Sequence, residues 1–294
     1  DVWLIAGGTQ TNAIVISSML ERYEGVIATV TGHIGFHEAG SIEYTGHKVF
    51  LLPHHDGKLD AGELDSYIKD FYADDNHEHM VFPGMVYVSH PTEYGTLYTR
   101  AELEAISAVC RRYEIPLYLD GARLGYGLMS RDTDVTLSDI ANLCDVFYIG
   151  GTKVGAMFGE AVVIANPLIN EDFRYLIKQR GGMLAKGRLL GLQFMTLFEE
   201  NRYFDMAEHA AKLAEKLKEE LTRMEIPFLI DSPSNQQFPI LPNEVMNRLS
   251  ADFMFSVWQK VDDTHTAVRF CTSWATPEKN VDALCAALKC LYKA

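Results

Sequence analysis

Short apolar runs alternate with amphipathic stretches from the start of the chain to about residue 167. The apolar runs occupy residues 2–6, 26–30, 48–52, 85–89, 116–120, 146–150 and 161–165. Between several of them, apolar residues recur at helical spacing, over residues 11–22, 60–71 and 101–113. Strands separated by helices need crossover connections, which produce a mostly parallel sheet covered on both faces. The pattern therefore predicts an α/β layer.

The rhythm changes beyond residue 167. Helical patterns cover residues 170–179, 188–200, 204–224 and 281–291, and short apolar runs at 227–230, 238–241, 253–258 and 267–271 predict strands. This mixture is typical of a smaller α+β unit added to the α/β layer. We predict a large domain at residues 1–185 and a small C-terminal α+β domain at residues 186–294.

Composition narrows the classes of partner. The chain has 294 residues with 26 Lys+Arg against 40 Asp+Glu, a formal net charge of −14. Nucleic acids and anionic membrane surfaces attract basic patches, so we expect neither as a partner. No apolar run approaches the roughly 20 residues that cross a bilayer.

The five cysteines include no C-x-x-C pair, which predicts reduced thiols in a cytoplasmic protein. Asp1 already precedes a predicted buried strand, so we expect that an N-terminal segment is missing.

Asp120 ends one apolar run and is followed by Gly121, Ala122 and Arg123. Ligands of parallel sheets bind beyond the carboxyl ends of the strands, so such positions bear on function. A buried carboxylate without a partner is costly. Two interpretations are open: Asp120 pairs with Arg123, or it faces a cationic ring nitrogen of a ligand.

Lys153 follows another apolar run, within Gly150-Gly151-Thr152-Lys153-Val154-Gly155. A lysine after a strand is usually solvated, but glycines and apolar residues surround this one, which predicts a dry site. Burial lowers the pKa of a lysine and makes its amine nucleophilic, as Schiff-base formation requires. The segment is not a phosphate-binding Walker loop, because Thr152 replaces the glycine before the lysine.

Gly8 and Thr9 lie in the segment GGTQTN at residues 7–12, which follows the first predicted strand and opens a helix. Free N–H groups at a helix start suit a phosphate group. The G-x-G-x-x-G spacing is absent, so a dinucleotide is not indicated. A Gly-Gly turn with a threonine cap is also a common helix entry.

His33 follows the predicted strand at 26–30, with His37 and Glu38 beyond it. His33 and His37 have the spacing of a metal-binding pair on a helix, but no third ligand is evident nearby. We therefore predict no metal site. An imidazole at a strand end can instead stack on a flat aromatic ligand.

These four features together predict a site for pyridoxal 5′-phosphate. Lys153 supplies the amine that condenses with the cofactor aldehyde, and Asp120 faces the pyridine nitrogen. Gly8 and Thr9 bind the phosphate, and His33 stacks on the ring.

The chain resembles the low-specificity threonine aldolase group, within the β-eliminating lyase branch of fold-type-I pyridoxal-phosphate enzymes. The resemblance rests on GGTQTN (7–12), TGHIGFHEAGSIE (31–43), LDGARL (119–124), GGTKVGA (150–156) and VRFCTSW (268–274). It implies a PLP-dependent, mostly parallel α/β large domain, an amino-acid substrate, and assembly as a homodimer or homotetramer. The implied reaction cleaves a threonine-like β-hydroxy-α-amino acid to glycine and an aldehyde.

The resemblance also implies residue roles. Arg269 binds the substrate α-carboxylate, Arg123 lies beside the cofactor, and His90 falls near a histidine that these enzymes place by the substrate. The base that removes the β-hydroxyl proton is His33, His90 or a water held by Glu38, and the sequence does not choose among them.

The sequence departs from the family in two segments, 89–93 and 181–184. Leu184 stands where the family usually has a phosphate-binding arginine, which Arg180, Lys186 or Arg188 would have to replace. A different reaction on the same cofactor therefore stays open: β-elimination, racemisation or transamination. A non-catalytic binding protein is a third alternative.

Overall fold

The computed structural model describes residues 1–167 and 172–293. Its largest element is a seven-stranded sheet made by β1 Val2–Ile5, β2 Glu24–Thr29, β3 Val49–Leu52, β4 Phe82–Ser89, β5 Leu117–Asp120, β6 Val146–Gly150 and β7 Glu160–Ile164. The strand order is β1-β7-β6-β5-β4-β2-β3. The neighbours from β3 to β6 pair in parallel, whereas β7 runs antiparallel to both β6 and β1. The predicted α/β fold is confirmed.

Helices cover both faces of this sheet, and its strands are therefore buried on both sides. They are α1 Gly8–Met19, α2 His33–Phe36, α3 Ser41–Tyr44, α4 Ala61–Ala73, α5 Arg100–Arg112, α6 Leu124–Leu128 and α7 Leu137–Leu143. Helix α1 packs on one face, and α4, α5 and α7 pack on the other. Caps mark their starts: the Asp60 carboxylate accepts the Gly62 and Glu63 N–H groups at α4.

A second, four-stranded sheet lies in the C-terminal part. It contains β8 Gln236–Gln237, β9 Ile240–Pro242, β10 Ser256–Lys260 and β11 His265–Cys271, with β11 pairing antiparallel with the other three. The helices here are α8 Phe173–Gln179, α9 Arg188–Phe198, α10 Arg202–Arg223, α11 Asn243–Leu249 and α12 Glu278–Lys293. Short 3-10 turns occupy His77–His79 and Glu199–Asn201.

Two sequence predictions in this part need correction or restriction. The strand expected at 227–230 is wrong: Phe228 makes only an isolated bridge with Pro239, since the prolines at 227 and 239 lack N–H donors for a ladder. The helix expected from residue 170 begins at Phe173, and residues 170 and 171 lie outside the described residues.

Helix α10 links the two sheets. Its first half contributes Tyr203, Ala207 and Ala210 to the core of the large sheet, and its second half contributes Leu213 and Leu217 to the core around β11. Among residues 1–167 and 172–293, no helix has the length and apolar character needed to cross a membrane.

Candidate active site

A cavity of about 340 Å³ opens at the carboxyl ends of the parallel strands. Its lining comes from five segments that are distant in sequence: Ala6–Thr9 with Asn12, His33 with Glu38, Ser89 with Pro91–Glu93, Asp120 with Ala122 and Arg123, and Tyr148 with Thr152, Lys153, Phe158 and Glu160. Seven residues singled out in the sequence thus meet in one place. They are Gly8, Thr9, His33, Glu38, Asp120, Arg123 and Lys153.

Two glycines allow the chain ends after β5 and β6 to approach closely. A Cβ added to Gly121 would lie 1.9 Å from the carbonyl oxygen of Tyr148, and one added to Gly150 would lie 2.3 Å from that of Ala122. The Gly150 N–H donates to the Gly121 carbonyl at 2.9 Å. This contact brings the end of β5, with Asp120, against the end of β6, from which the chain runs on to Lys153.

The Asp120 carboxylate is buried, with 5% of the residue exposed. Oδ1 accepts the Tyr148 hydroxyl at 2.5 Å and the Ala122 N–H at 2.9 Å. Oδ2 accepts the Tyr87 hydroxyl at 2.6 Å and the Asn12 amide at 3.2 Å. Four donors hold the Asp120 carboxylate in place, so both of its oxygens have fixed positions in the cavity lining. The alternative of an Asp120–Arg123 pair is not what the structure shows.

Asn12 connects Asp120 to a second carboxylate. Its Nδ2 also donates to Glu38 Oε1 at 2.7 Å, and its Oδ1 accepts the Tyr118 hydroxyl at 2.6 Å. Because the tyrosine fixes the amide orientation, the N–H groups of Asn12 point at the two carboxylates. Asn12 thereby fixes the Glu38 carboxylate relative to the Asp120 carboxylate.

Glu38 Oε1 also lies 2.7 Å from His33 Nδ1. This hydrogen bond raises the pKa of His33 above its ordinary value, against the opposing effect of burial. The other ring nitrogen has no hydrogen bond among the described residues, the ring lies 5.7 Å from that of His37, and 37% of the side chain is exposed. His33 is therefore oriented by Glu38 and partly presented to the cavity.

Lys153 and Arg123 supply the cations of the cavity. Neither side chain makes a hydrogen bond or ion pair with another residue in the described part of the chain. Burial lowers the pKa of Lys153, and the charge of Arg123 lowers it further. Burial also lowers the pKa of Arg123. An unpaired amine with a lowered pKa has the properties of a nucleophile.

The start of α1 forms the third side of the cavity. Gly7 is its N-cap and places no side chain over the helix end. The first backbone hydrogen bond of the helix runs from Thr11 to Gly7, which leaves the N–H groups of Gly8, Thr9 and Gln10 for a ligand. The Thr11 hydroxyl is buried without a partner among the described residues. These features fit a phosphate group.

Two further carboxyl groups, those of Glu93 and Glu160, line the cavity. The sequence did not predict either of them as a site residue. Glu160 starts β7 and accepts the Gly151 N–H at 2.9 Å, and burial raises its pKa to about 7. Glu93 follows β4 and accepts the His33 N–H at 2.9 Å and the Ser89 hydroxyl at 2.7 Å. Burial raises its pKa as well. A polar residue in or just after a buried strand was the available signal for both.

Two predicted site residues lie outside the cavity lining. His90 is fully buried, and neither ring nitrogen has a hydrogen-bond partner among the described residues. Burial lowers its pKa to about 4. Arg269, on β11, donates to Gln236 at 3.2 Å and to Ser256 at 3.3 Å, and stacks on Trp258 at 5.0 Å. Its charge nevertheless acts on Arg123.

Fold and site together define a class. The chain superposes on an aspartate aminotransferase double mutant of Thermus thermophilus with a TM-score of 0.70 at 17% identity, covering 99% of this chain and 75% of that one. At this identity the match establishes the fold alone, that of a fold-type-I pyridoxal-phosphate enzyme.

The family model of the β-eliminating lyases matches residues 2–241, and the chain belongs to this family. It is a pyridoxal-phosphate-dependent lyase, and the residues of the cavity fit that cofactor.

Two proteins similar to this chain are threonine aldolases. The chain is 47% identical to the threonine aldolase of Leishmania major, with a TM-score of 0.96, over 99% of this chain and 84% of that one. It is 29% identical to a low specificity L-threonine aldolase of a Pseudomonas species (strain NCIMB 10558), over all of this chain and 84% of the relative.

Proposed function

We propose that this lyase cleaves a threonine-like β-hydroxy-α-amino acid to glycine and an aldehyde. The likeness to the Leishmania and Pseudomonas aldolases supports this reaction. The observation that carries the proposal is the composition of the cavity lining. It contains a nucleophilic amine at Lys153, without a partner among the described residues, and a carboxylate at Asp120 that hydrogen bonds hold in place. That pair suits a cofactor with an aldehyde and a basic ring nitrogen.

Four groups would hold the cofactor. The N–H groups of Gly8 and Thr9 would bind its phosphate, Lys153 its aldehyde carbon and Asp120 its ring nitrogen, and His33 would lie against the ring. When bound, pyridoxal phosphate supplies an electron sink for the bond broken at Cα. Asp120 would hold a proton at the ring nitrogen, and four donors fix its carboxylate for that role.

Two arginines would bind the substrate α-carboxylate. Arg123 lines the cavity without an anionic partner among the described residues, and Arg269, outside that lining and bonded to Gln236 and Ser256, acts on Arg123 through its charge. The two guanidinium charges repel each other, as the lowered pKa of Arg123 reflects in part. An anion bound between them removes that repulsion. The Lys153 amine would hold the proton that Cα receives.

The test is an assay of products. The holoenzyme is incubated with L-threonine and with L-phenylserine, and aldehyde, glycine, keto acid and ammonia are measured. Aldehyde and glycine in equal amounts are expected. Keto acid and ammonia would instead indicate β-elimination, and absence of aldehyde from both substrates with cofactor bound would overturn the proposed aldolase activity.

Lys153→Ala is expected to abolish this activity and the near-visible absorbance of the bound cofactor, because no other amine lines the cavity among the described residues. Absorbance before and after borohydride reduction checks the covalent link: wild-type protein should become irreversibly labelled and the variant should not. Labelling of Lys153→Ala would place the link at another lysine.

We also propose a homodimer. Helix α9 exposes Leu189, Leu192 and Met195, and Met157 nearby is 87% exposed. Part of this apolar face lines a groove of about 450 Å³, and Phe158 belongs to both the groove and the active-site cavity. A second copy of the chain seated there would complete the wall of the site. Apolar patches of this kind mark interfaces.

We propose a cytoplasmic location as well. All five cysteines are free thiols, three of them buried. Reduced cysteines favour a reducing compartment.

A further inference from the structure

Glu93 lies where the reactive bond of the proposed substrate would pass. It lines the active-site cavity, and it also lines a separate groove of about 290 Å³ formed by Phe36, Tyr94, Trp258 and their neighbours. Within the described residues Glu93 is the one residue common to both. A substrate with Cα near Lys153 and its β-substituent directed outward would therefore carry its β-carbon past Glu93.

The three other carboxyl groups of the cavity differ from Glu93 in their hydrogen bonds or in their position. Glu160 accepts the Gly151 N–H, and its strand pairs with β1 just before the start of α1, on the phosphate side. The Glu38 carboxylate is hydrogen-bonded to the side chains of His33, Asn12 and Ser41. Asp120 has four donors. Asp120 and Glu38 thus have donors on both oxygens, whereas Glu160 accepts at one oxygen only and lies on the phosphate side.

Glu93 combines a carboxylate oxygen without a neighbour's hydrogen bond with a position between the cavity and the groove. Both bonds to neighbours in the described chain, from the His33 N–H and the Ser89 hydroxyl, reach the same atom, Oε1. The second oxygen, Oε2, can therefore accept from a ligand. Glu93 also acts electrostatically on Arg123, so it lies close to the charge proposed to hold the substrate carboxylate.

Ser89 allows Glu93 to exist in both protonation states. Its hydroxyl lies 2.7 Å from Glu93 Oε1 and 3.2 Å from the Tyr87 oxygen, and Tyr87 gives its own proton to Asp120. A serine has one proton and two lone pairs, so it can donate to an ionised Glu93 or accept from a protonated one while donating to Tyr87. Proton uptake by Glu93 therefore leaves no hydrogen bond broken.

We propose that Glu93 is the catalytic base that takes the proton from the β-hydroxyl of the substrate. The proposal rests on the aldolase function proposed above. The O–H bond breaks and its proton moves to Glu93. The electron pair of that bond forms the C=O of the aldehyde, and the pair of the Cα–Cβ bond stays with Cα. Protonation of Cα then completes glycine, and Glu93 returns its proton to solvent.

Glu93→Gln tests this assignment, since glutamine keeps an oxygen for the His33 and Ser89 donors and cannot accept the proton. We expect kcat for L-threonine cleavage to fall roughly 10²–10⁴-fold, the range for loss of a general base. KM and cofactor absorbance should stay near wild type. Exchange of the glycine α-hydrogen in D₂O needs Lys153 and the cofactor but no β-hydroxyl, so it should fall far less than cleavage does.

Further readouts separate a base from a structural residue. Wild-type cleavage should rise with pH along an acid limb that Glu93→Gln lacks, and Glu93→Asp should restore part of the rate. Glu24→Gln is the matched control: burial raises the pKa of Glu24 too, but it starts β2 at the end of the sheet away from the cavity. That variant should cleave at the wild-type rate.

Two results would overturn the assignment alone. One is wild-type cleavage by Glu93→Gln, and the other is an equal loss of cleavage and glycine exchange, which would indicate a structural role. A wild-type holoenzyme that exchanges glycine but cleaves neither L-threonine nor L-phenylserine would overturn the proposed aldolase function and the base with it.

Discussion

At the scale of single residues, the site depends on how each carboxylate is solvated by the protein. The Asp120 carboxylate has four donors, whereas Glu160 has fewer and burial raises the pKa of Glu160 to about 7. One cavity thus holds a carboxylate fixed by four donors beside two carboxyl groups, Glu93 and Glu160, whose pKa burial raises. Perturbed carboxyl groups in a cavity are typical of catalytic sites.

The raised pKa of Glu160 predicts a pH-dependent stability. A carboxyl whose pKa is 4.5 unfolded and about 7 folded binds more protons in the folded state between these values, so it destabilises the fold progressively as pH rises from 4.5 to 7. Glu160→Gln removes this loss and keeps an oxygen for the Gly151 N–H. The variant should match wild type below pH 4.5 and exceed it above pH 7 by up to about 3 kcal/mol, at about 1.4 kcal/mol per pKa unit.

Urea unfolding at both pH values with saturating cofactor measures the difference. Glu78→Gln, at an exposed position of the 3-10 turn, should leave stability unchanged at either pH. A Glu160→Gln advantage that does not grow with pH would contradict the assignment of this titration.

At the scale of elements, the ends of the parallel strands determine which polar residues meet. Strands β2, β4, β5 and β6 are adjacent in the sheet but come from distant parts of the chain. Their carboxyl ends therefore bring His33, Glu93, Asp120 and Lys153 into one cavity. The close contact of Gly121 with β6 fixes the relative position of two of these strand ends.

Gly121→Ala should disturb that contact, because its Cβ would overlap the Tyr148 carbonyl oxygen at 1.9 Å. We expect a loss of unfolding free energy of roughly 1–3 kcal/mol or more, and weaker cofactor binding as Asp120 is displaced. Urea unfolding and cofactor titration measure the two effects.

Gly191→Ala, inside α9, is the matched control. Its Cβ would meet only the Leu4 Cδ1 atom at 3.8 Å, an ordinary contact, and the substitution removes a helix glycine at a gain of up to about 1 kcal/mol. Equal effects of the two substitutions would show that the close approach at Gly121 contributes neither to stability nor to cofactor binding.

At the scale of the whole molecule, the exposed face of α9 and the adjoining groove predict assembly. Leu192→Asp should convert the proposed homodimer to monomers and lower cleavage activity, because a charge would be buried between two copies. Sedimentation or light scattering measures the mass. Met254→Asp is the control, since Met254 is fully exposed and lies outside this groove. A wild-type monomer of full activity would contradict the dimer proposal.

The proposed division into domains at residues 185 and 186 stays a prediction. The core of the large sheet includes Phe194, Leu197, Tyr203 and Ala207, which lie beyond that boundary. Residues 186–210 thus pack against the first unit even though the strands that follow belong to the second sheet. Helical periodicity in α9 and α10 gave no sign of this division, because an apolar stripe does not identify what it packs against.

The sequence alone determined the alternation of strands and helices, and with it the parallel α/β sheet, because burial on both faces demands continuous apolar runs. It also placed Asp120, Lys153, Gly8 and His33 at strand ends and pointed to the cofactor.

Tertiary structure decided the rest. Tyr87 and Tyr148 lie in apolar runs and Asn12 in the GGTQTN segment, but nothing in the sequence links them to Asp120, and only the folded chain shows them as its donors. The same holds for Glu93 inside the cavity and His90 outside it, because neighbouring positions in one loop turned to opposite sides. Local pattern specifies elements, whereas a site depends on the three-dimensional meeting of elements.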